Sequence, residues 1–530
     1  MDTTLFKLSA VDLWLGLAYL VAIIAIGLFL SRYSHNNAEG YFLANRAMLW
    51  PFIGISLFAS NISSTTLIGL AGEAYNTGIS VFNYEWMASI ILVFYCFFML
   101  PQVLRSRVYT MPEFLERRFN SNIRKYFSLL TLFLNIVVDT AGSLYAGGLL
   151  LKLVFPEIPL WQTITLLAVV AGIYTIVGGL SAVIYTDTLQ GVLLIIGSVV
   201  ITVIAYQQVG GWSTIVSEVP SDMLSLIRPP SDSGVPWPGL ILGVSLLGFY
   251  FWCSNQFMAQ RFLSAKNIDH GRWGALFAGL LKLPVLFIMV LPGTFAILLY
   301  PDLERADLVY PTLMFDLLPI GLLGLVLAGF MAALMSQIDS TLNSAATLVT
   351  MDFIAPYQRQ LTPKQLKTIG QWVTFVFMLL AVIWAPQIER FDSLFKYLQA
   401  VLAYTVPPIV AIMLLGLFSK RVNSFGAGIS LIVSFIAGAI LFWLNVVTAT
   451  LAIHFLYIAP ILFAICVLSA IILSPLRPAP DFAKIEPLVW SRESYHSETR
   501  ELKNQAWYSN YRLQSLTLLA VTGIIVIIFW

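Results

Sequence analysis

The run Phe58-Ala59-Ser60-Asn61-Ile62-Ser63-Ser64-Thr65-Thr66-Leu67 places six polar residues in seven between Ser60 and Thr66, in the middle of an apolar stretch from about residue 48 to 75. Such a run is costly in hydrocarbon unless its backbone or side chains face a protein interior or water. Ser and Thr can bond back to their own helix, so a tolerated polar patch is one reading. Unwinding is the favoured one, because helices broken at mid-depth expose carbonyls to ions and solutes. The surrounding chain supports a membrane setting. Of 530 residues, 59% are apolar or aromatic and only 11% charged, against roughly 25% charged in soluble domains. Mean hydropathy is +0.85. A soluble enzyme and a disordered chain are excluded. With a net charge of +2 there is no electrostatic footprint for nucleic acid.

About 20 apolar residues cross a bilayer core. Fourteen such spans are predicted, near 9–31, 48–75, 77–104, 126–151, 159–180, 183–207, 236–260, 273–300, 310–350, 368–388, 392–418, 423–447, 449–474 and 513–530. The stretch 310–350 is long enough for a span plus a short helix. No basic cluster precedes the first span and no small-residue cleavage site follows it, so it reads as retained. With the N-terminus outside, most of the 29 basic residues fall in cytoplasmic loops, among them Arg105, Arg107, Arg117, Arg118, Arg124, Arg261, Lys266 and Arg272. The external loops carry acids such as Glu218, Asp222 and Asp302. An even span count puts both termini outside, in a multi-pass protein whose compact loops suit a bacterial inner membrane. Residues 208–235 read as an external loop and 475–512 as a cytoplasmic linker lying partly on the membrane surface.

Several buried polar groups are candidates for chemistry. A second interruption, Cys253-Ser254-Asn255-Gln256, falls toward the end of span 236–260. Glu85 lies within an apolar span, and a carboxylate there must be paired, hydrogen-bonded or protonated; Lys282 and Gln399 are its possible partners. An ion pair with no further role is the plain alternative. Ser336, Ser340, Asn343 and Thr347 share one helical face, flanked by Gln337 and Asp339. Hard cations prefer such oxygen donors, and interhelical hydrogen bonding uses the same residue types; the stripe alone leaves the two even. Asp139 and Asp187 are weaker candidates that suit structural acceptors. No G-x-x-x-x-G-K-[ST] or H-E-x-x-H motif occurs, and the four histidines and three cysteines lack ligand spacing. Catalysis has no foothold, and no obligate protein partner is evident.

A set of ordered motifs then resembles the sodium/glucose cotransporter branch of the sodium:solute symporter family: Gly40-Tyr41-Phe42-Leu43-Ala44, Ala59-Ser60-Asn61-Ile62-Ser63, Tyr84-Glu85-Trp86, Met111-Pro112-Glu113-Phe114-Leu115, Gly178-Gly179-Leu180-Ser181-Ala182, Gln260-Arg261 and Leu342-Asn343-Ser344. The likeness runs from about residue 10 to 420. It implies an all-α polytopic membrane protein of about fourteen spans with a five-plus-five inverted repeat and broken helices. The implied divisions are a first extra span and loop (1–47), one repeat (48–207), the external loop (208–235), the second repeat (236–420), two further spans (421–474), the linker (475–512) and a last span (513–530).

The resemblance also implies roles. Asn61, Glu85, Lys282 and Gln399 match solute-binding positions, with Thr66 and Tyr84 beside them, and Phe251 falls on an inner aromatic gate. Sodium would sit among Ala59, Ile62, Ala333, Ser336 and Gln337, the last standing where the family has a second hydroxyl. Asp187 and Asp339 are candidates for coupling. Thr66, Gly248 and Ala88 stand where a galactose-transporting member has glutamine, asparagine and serine. Each change removes a hydroxyl-binding group and points to a smaller or differently hydroxylated solute. The implied function is sodium-coupled symport of a sugar or polyol by alternating access. The competing readings are a proton-coupled or uncoupled carrier of another organic solute and, in a different class, a channel or membrane scaffold.

Overall fold

In the computed structural model the described residues are 6–31, 43–62, 64–177, 180–355, 362–391, 393–503 and 505–530. Among them the structure is helical throughout, with two isolated bridges, Met48 to Ala265 and Arg228 to Pro236, outside any strand. Ten helices are long and apolar enough to cross a bilayer, or eleven if the pair Leu394–Thr405 and Pro407–Phe418, bent by 51°, is one span. The bend falls where Pro407 and Pro408 cannot donate to the preceding turn. The three remaining predicted spans coincide with the apolar helices Ala10–Ser31 and Leu160–Val177 and with the broken segment that begins at Trp50–Asn61. As predicted, 310–350 divides, into Val309–Leu317 and Leu322–Leu348.

The helices that build the central site are few. α1 (Trp50–Asn61) starts on Pro51, whose fixed φ suits a first helical turn. It stops at Ile62, which leaves the helical region at φ −80° and ψ 67°. α2 (Ser64–Thr77) resumes beyond Ser63. α3 (Asn83–Phe94) carries Glu85. α4 (Gln256–Leu263) follows a second break, where Asn255 is extended at φ −61° and ψ 129° and its side chain caps Phe257 N–H at 3.2 Å. Both interruptions read from the sequence are therefore real breaks. α5 (Ile268–Lys282), α6 (Leu322–Leu348) and α7 (Leu394–Thr405) complete the walls.

Close packing sets their positions. α1 and α5 meet at Gly54 and Gly274: a Cβ on Gly54 would lie 2.9 Å from the Gly274 carbonyl oxygen. Small residues at such crossings let backbones approach where lipid offers no hydrophobic drive. At the opposite rim Asp12 of the N-terminal helix accepts from Gly321 and Gly324 N–H at 2.7 and 2.8 Å, satisfying the start of α6. Large apolar side chains such as Trp372, Ile383, Ile472 and Ile527 are exposed on the outer surface, as a lipid-facing belt requires.

Candidate functional site

The two breaks open onto one cavity of about 120 Å³. Its polar lining is Ser60, Asn61, Thr66, Tyr84, Glu85, Asp139, Asn255, Gln337 and Gln399; Phe251, Trp252 and Phe395 supply aromatic faces. Six of the seven residues expected to contact or gate a solute therefore share this wall: Asn61, Thr66, Tyr84, Glu85, Phe251 and Gln399. The seventh, Lys282, is fully buried behind it and forms an ion pair with Glu85 Oε2. Its ammonium lies 5.6 Å from the Trp252 ring centroid and 5.8 Å from that of Phe58. Aromatic faces and a carboxylate make a charged Lys tenable here.

The acceptors and donors of the wall are unevenly matched. Thr66 Oγ1 is spent on the Asn61 carbonyl oxygen. Asn61 Oδ1 and the Tyr84 hydroxyl are buried without a hydrogen-bond partner among the described residues. Tyr84 meets Phe395 edge-on at 5.1 Å, and Phe251 meets Trp252 and Phe257 edge-on at 5.3 and 5.8 Å. Gly248 also lines the cavity, and a Cβ there would strike Ile91 Cδ1. Asparagine would not fit without a shift of Ile91. Ala88 is fully buried and is not among the lining residues, so its change from serine leaves the lining unaltered.

Beside the cavity, Ala59 and Ile62 occupy the end of α1, where helix carbonyls lose their intrahelical partners. Ala333, Ser336 and Gln337 sit buried on α6. Among the described residues Ser336 Oγ and Gln337 Oε1 have no hydrogen-bond partner, so a hydroxyl and an amide oxygen are available to a hard cation. The lower part of the same stripe is interhelical glue. Gln260 Nε2 donates to Thr347 Oγ1 at 2.9 Å and Arg261 Nη2 donates to Ser340 Oγ at 3.0 Å. The stripe that pattern alone left even thus divides between the two readings. Asp339 is buried on α6 and does not line the cavity. The Asp187 side chain lies outside the described residues.

Arg261 is a correction. The charge pattern assigned it to a cytoplasmic loop, yet it is fully buried inside the bundle. It donates to Ser56 Oγ at 2.9 Å, to the Phe257 carbonyl at 2.6 Å and to Ser60 Oγ. A serine every fourth residue of α1, Ser56 and Ser60, was the signal available in the sequence. Arg272 is likewise buried, against Glu498 at 2.8 Å. Asp139, expected as a structural acceptor, lines the cavity instead. Its place on a wide π-type turn, Asn135–Thr140, is not readable from hydropathy.

The sodium:solute symporter family model matches residues 41–438. The chain belongs to the sodium:solute symporter family. Relatives of this symporter include the sodium/glucose cotransporter 1 of Oryctolagus cuniculus, 34% identical over 93% of this chain and 83% of that one. The sodium/myo-inositol cotransporter of Bos taurus is 34% identical over 92% and 76%. Among solved structures, a Na+-coupled sialic acid symporter aligns over 89% of this chain and 99% of its own, with a TM-score of 0.78 at 23% identity. Mhp1, a nucleobase-cation-symport-1 family transporter, aligns with a TM-score of 0.59 at 14% identity. These two share the symporter's fold. Family membership makes the chain a secondary transporter and not an enzyme.

Proposed function

We propose that this symporter carries a neutral polyhydroxylated solute, a sugar or polyol, with sodium, exposing one mid-membrane site alternately to each side. The carrying observation is the neutralised Glu85–Lys282 pair at a cavity that also presents Asn61 and Gln399 beside a helix break. A carboxylate accepts, an ammonium donates and the amides do both, which suits a ring of hydroxyls. Trp252 and Phe395 can cover its apolar face. The sugar and inositol cotransporters among the relatives agree with this class.

Sodium, as cargo, would be held by the Ala59 and Ile62 carbonyls, Ala333, the Ser336 hydroxyl and the Gln337 amide oxygen. Gln337 Oε1 has no partner among the described residues, which supports its serving as a ligand in place of the family's hydroxyl. Phe251 would bar the exit until the ion leaves. One charge moving down 100 mV contributes about 2.3 kcal/mol, which alone drives roughly fifty-fold accumulation. Asp12, near the start of the first helix, accepts from Gly321 N–H, and the Phe529 carbonyl, at the end of the last, accepts at 2.8 Å from Leu226 N–H in the acid-bearing loop 208–235. Charge asymmetry then supports placing both termini outside.

Uptake into proteoliposomes tests the proposal, with hexoses, polyols and amino acids offered under sodium or proton gradients. Saturable, sodium-driven uptake of a hexose or polyol is expected. Uptake indifferent to sodium would remove the coupling claim, and flux that never saturates would favour a channel.

A further inference from the structure

The solute cavity contains a second carboxylate that the ion pair does not account for. Glu85 is neutralised by Lys282. Asp139 lines the same space, is 8% exposed, and has no Lys, Arg or His ion-paired with it among the described residues. Its neighbour is Asn255, at the break before α4. The Asn255 side-chain carbonyl accepts from Phe257 N–H, which leaves its amide end for the Asp139 carboxyl beside it. Asp139 thus has a neutral donor near it and keeps acceptor capacity toward the cavity. One more acceptor on the same wall, Asn61 Oδ1, is buried without a donor among the described residues.

A buried acceptor without a donor is unfavourable, and here Asn61 Oδ1 shares one wall with a carboxylate that no cation among the described residues neutralises. Lys282 is taken by Glu85, and Thr66 by the Asn61 carbonyl. The occupant must therefore bring hydrogen-bond donors. We propose that Asp139 is a second solute-recognition carboxylate, accepting two adjacent hydroxyls of the polyhydroxylated solute, with Asn61 taking a neighbouring hydroxyl. An ionised carboxylate has two oxygens and only accepts, so it matches a vicinal diol and rejects an analogue lacking either hydroxyl. Asp139 would supply the acceptor lost where Gly248 leaves no side chain. The inference rests on reading the cavity as the solute site.

The test uses full-length protein in proteoliposomes with the hexose or polyol that wild type accumulates. Asp139→Asn keeps the volume and exchanges one acceptor for a donor. It is expected to raise the solute KM at least tenfold while the sodium concentration for half-maximal uptake stays within twofold. Monodeoxy analogues, each lacking one hydroxyl, locate the contact: those that lack a hydroxyl held by Asp139 should lose tenfold or more with wild type and lose less further affinity with Asp139→Ala than the parent solute does. If Asp139→Ala does not fold, the isosteric Asp139→Asn carries the same cycle. An unchanged solute KM in Asp139→Asn would overturn the proposal. So would a shift in sodium dependence with solute KM unaltered, which would make Asp139 an ion ligand instead. Wild type that accumulates no polyhydroxylated solute would fail the parent reading, a result visible without any variant.

Discussion

Arg261 Nη2 donates to Ser340 Oγ at 3.0 Å, and through that bond a fully buried guanidinium joins the end of the first half-helix to α6. The same side chain holds Ser56 and Ser60. Ala59 adjoins Ser60, and Ser336 lies one turn before Ser340. The two halves of the proposed sodium site are therefore spaced by a fixed cation that neither half could position alone. A planar fork of five donors suits this task, whereas an ammonium cannot reach several hydroxyls and a carbonyl at once.

Arg261→Lys keeps the charge and loses the fork. Hydrogen bonds to charged groups contribute about 1.5–3 kcal/mol each, so the purified variant should melt several degrees lower. Its sodium requirement should also rise several-fold, measured as the sodium concentration giving half-maximal uptake. Lower stability with unaltered sodium dependence would leave Arg261 as a structural brace only.

The Glu85–Lys282 pair predicts an asymmetry between single and double variants. Removing one partner of a buried pair costs about 3–5 kcal/mol because the other charge is stranded, while removing both is often close to neutral. Glu85→Gln and Lys282→Met should each lower thermal stability, and the double variant should recover most of it. Transport should stay lost in all three, because the solute contacts are gone. A double variant that transports would show the pair to be structural.

These positions were unequally legible in the sequence. Asn61, Glu85 and Lys282 stood out because polar groups inside apolar runs are rare, and the breaks at Ile62 and Asn255 followed from local polarity. Arg261 did not stand out. It lies near a span end, where basic residues normally face the cytoplasm, and its burial depends on serines more than 200 and nearly 80 residues away in the chain. Asp139 was undervalued for a related reason: a π-type turn changes which face a residue presents, and no hydropathy pattern reports it. Ser336 and Ser340 looked equivalent by spacing, and only the long-range partner of Ser340 separates them.

Gly248 should act as a volume limit. A methyl group there meets Ile91 Cδ1, and overpacking of this kind typically costs about 1–3 kcal/mol. Gly248→Ala is expected to reduce the rate or affinity of solute uptake, and adding Ile91→Val should restore it by vacating that space. Equal uptake by Gly248→Ala and wild type would show that Ile91 yields freely and that the cavity is not bounded there.

Gln337→Ser restores a hydroxyl where the amide now stands. The shorter group should bring α6 into the coordination the family uses, lowering the sodium concentration for half-maximal uptake. The solute KM should change less than the sodium term. If sodium dependence does not move, Gln337 does not touch the ion.

Glu498 predicts how the linker 475–512 is tied to the transport core. Its Oε1 lies 2.8 Å from Arg272 Nη2 and 3.7 Å from Arg105, and its Oε2 accepts from the Tyr511 hydroxyl at 3.1 Å, with Arg512 at 3.9 Å. Arg272 also donates from Nε to the Cys96 carbonyl at 3.1 Å and stacks over the Tyr511 ring at 3.9 Å. One carboxylate thus balances three guanidinium groups at the root of the last helix, Tyr511–Ile528. Glu498→Gln removes the charge and leaves the arginines facing one another, a loss of about 3–5 kcal/mol for a buried pair broken on one side. The variant should show a lower Tm and faster trypsin cleavage between Arg477 and Lys503, where helix Arg492–Leu502 would no longer be held. Cleavage at the wild-type rate with unchanged Tm would mean that the aromatic packing of Tyr511 against Phe97, at 5.0 Å, anchors the linker without the charge.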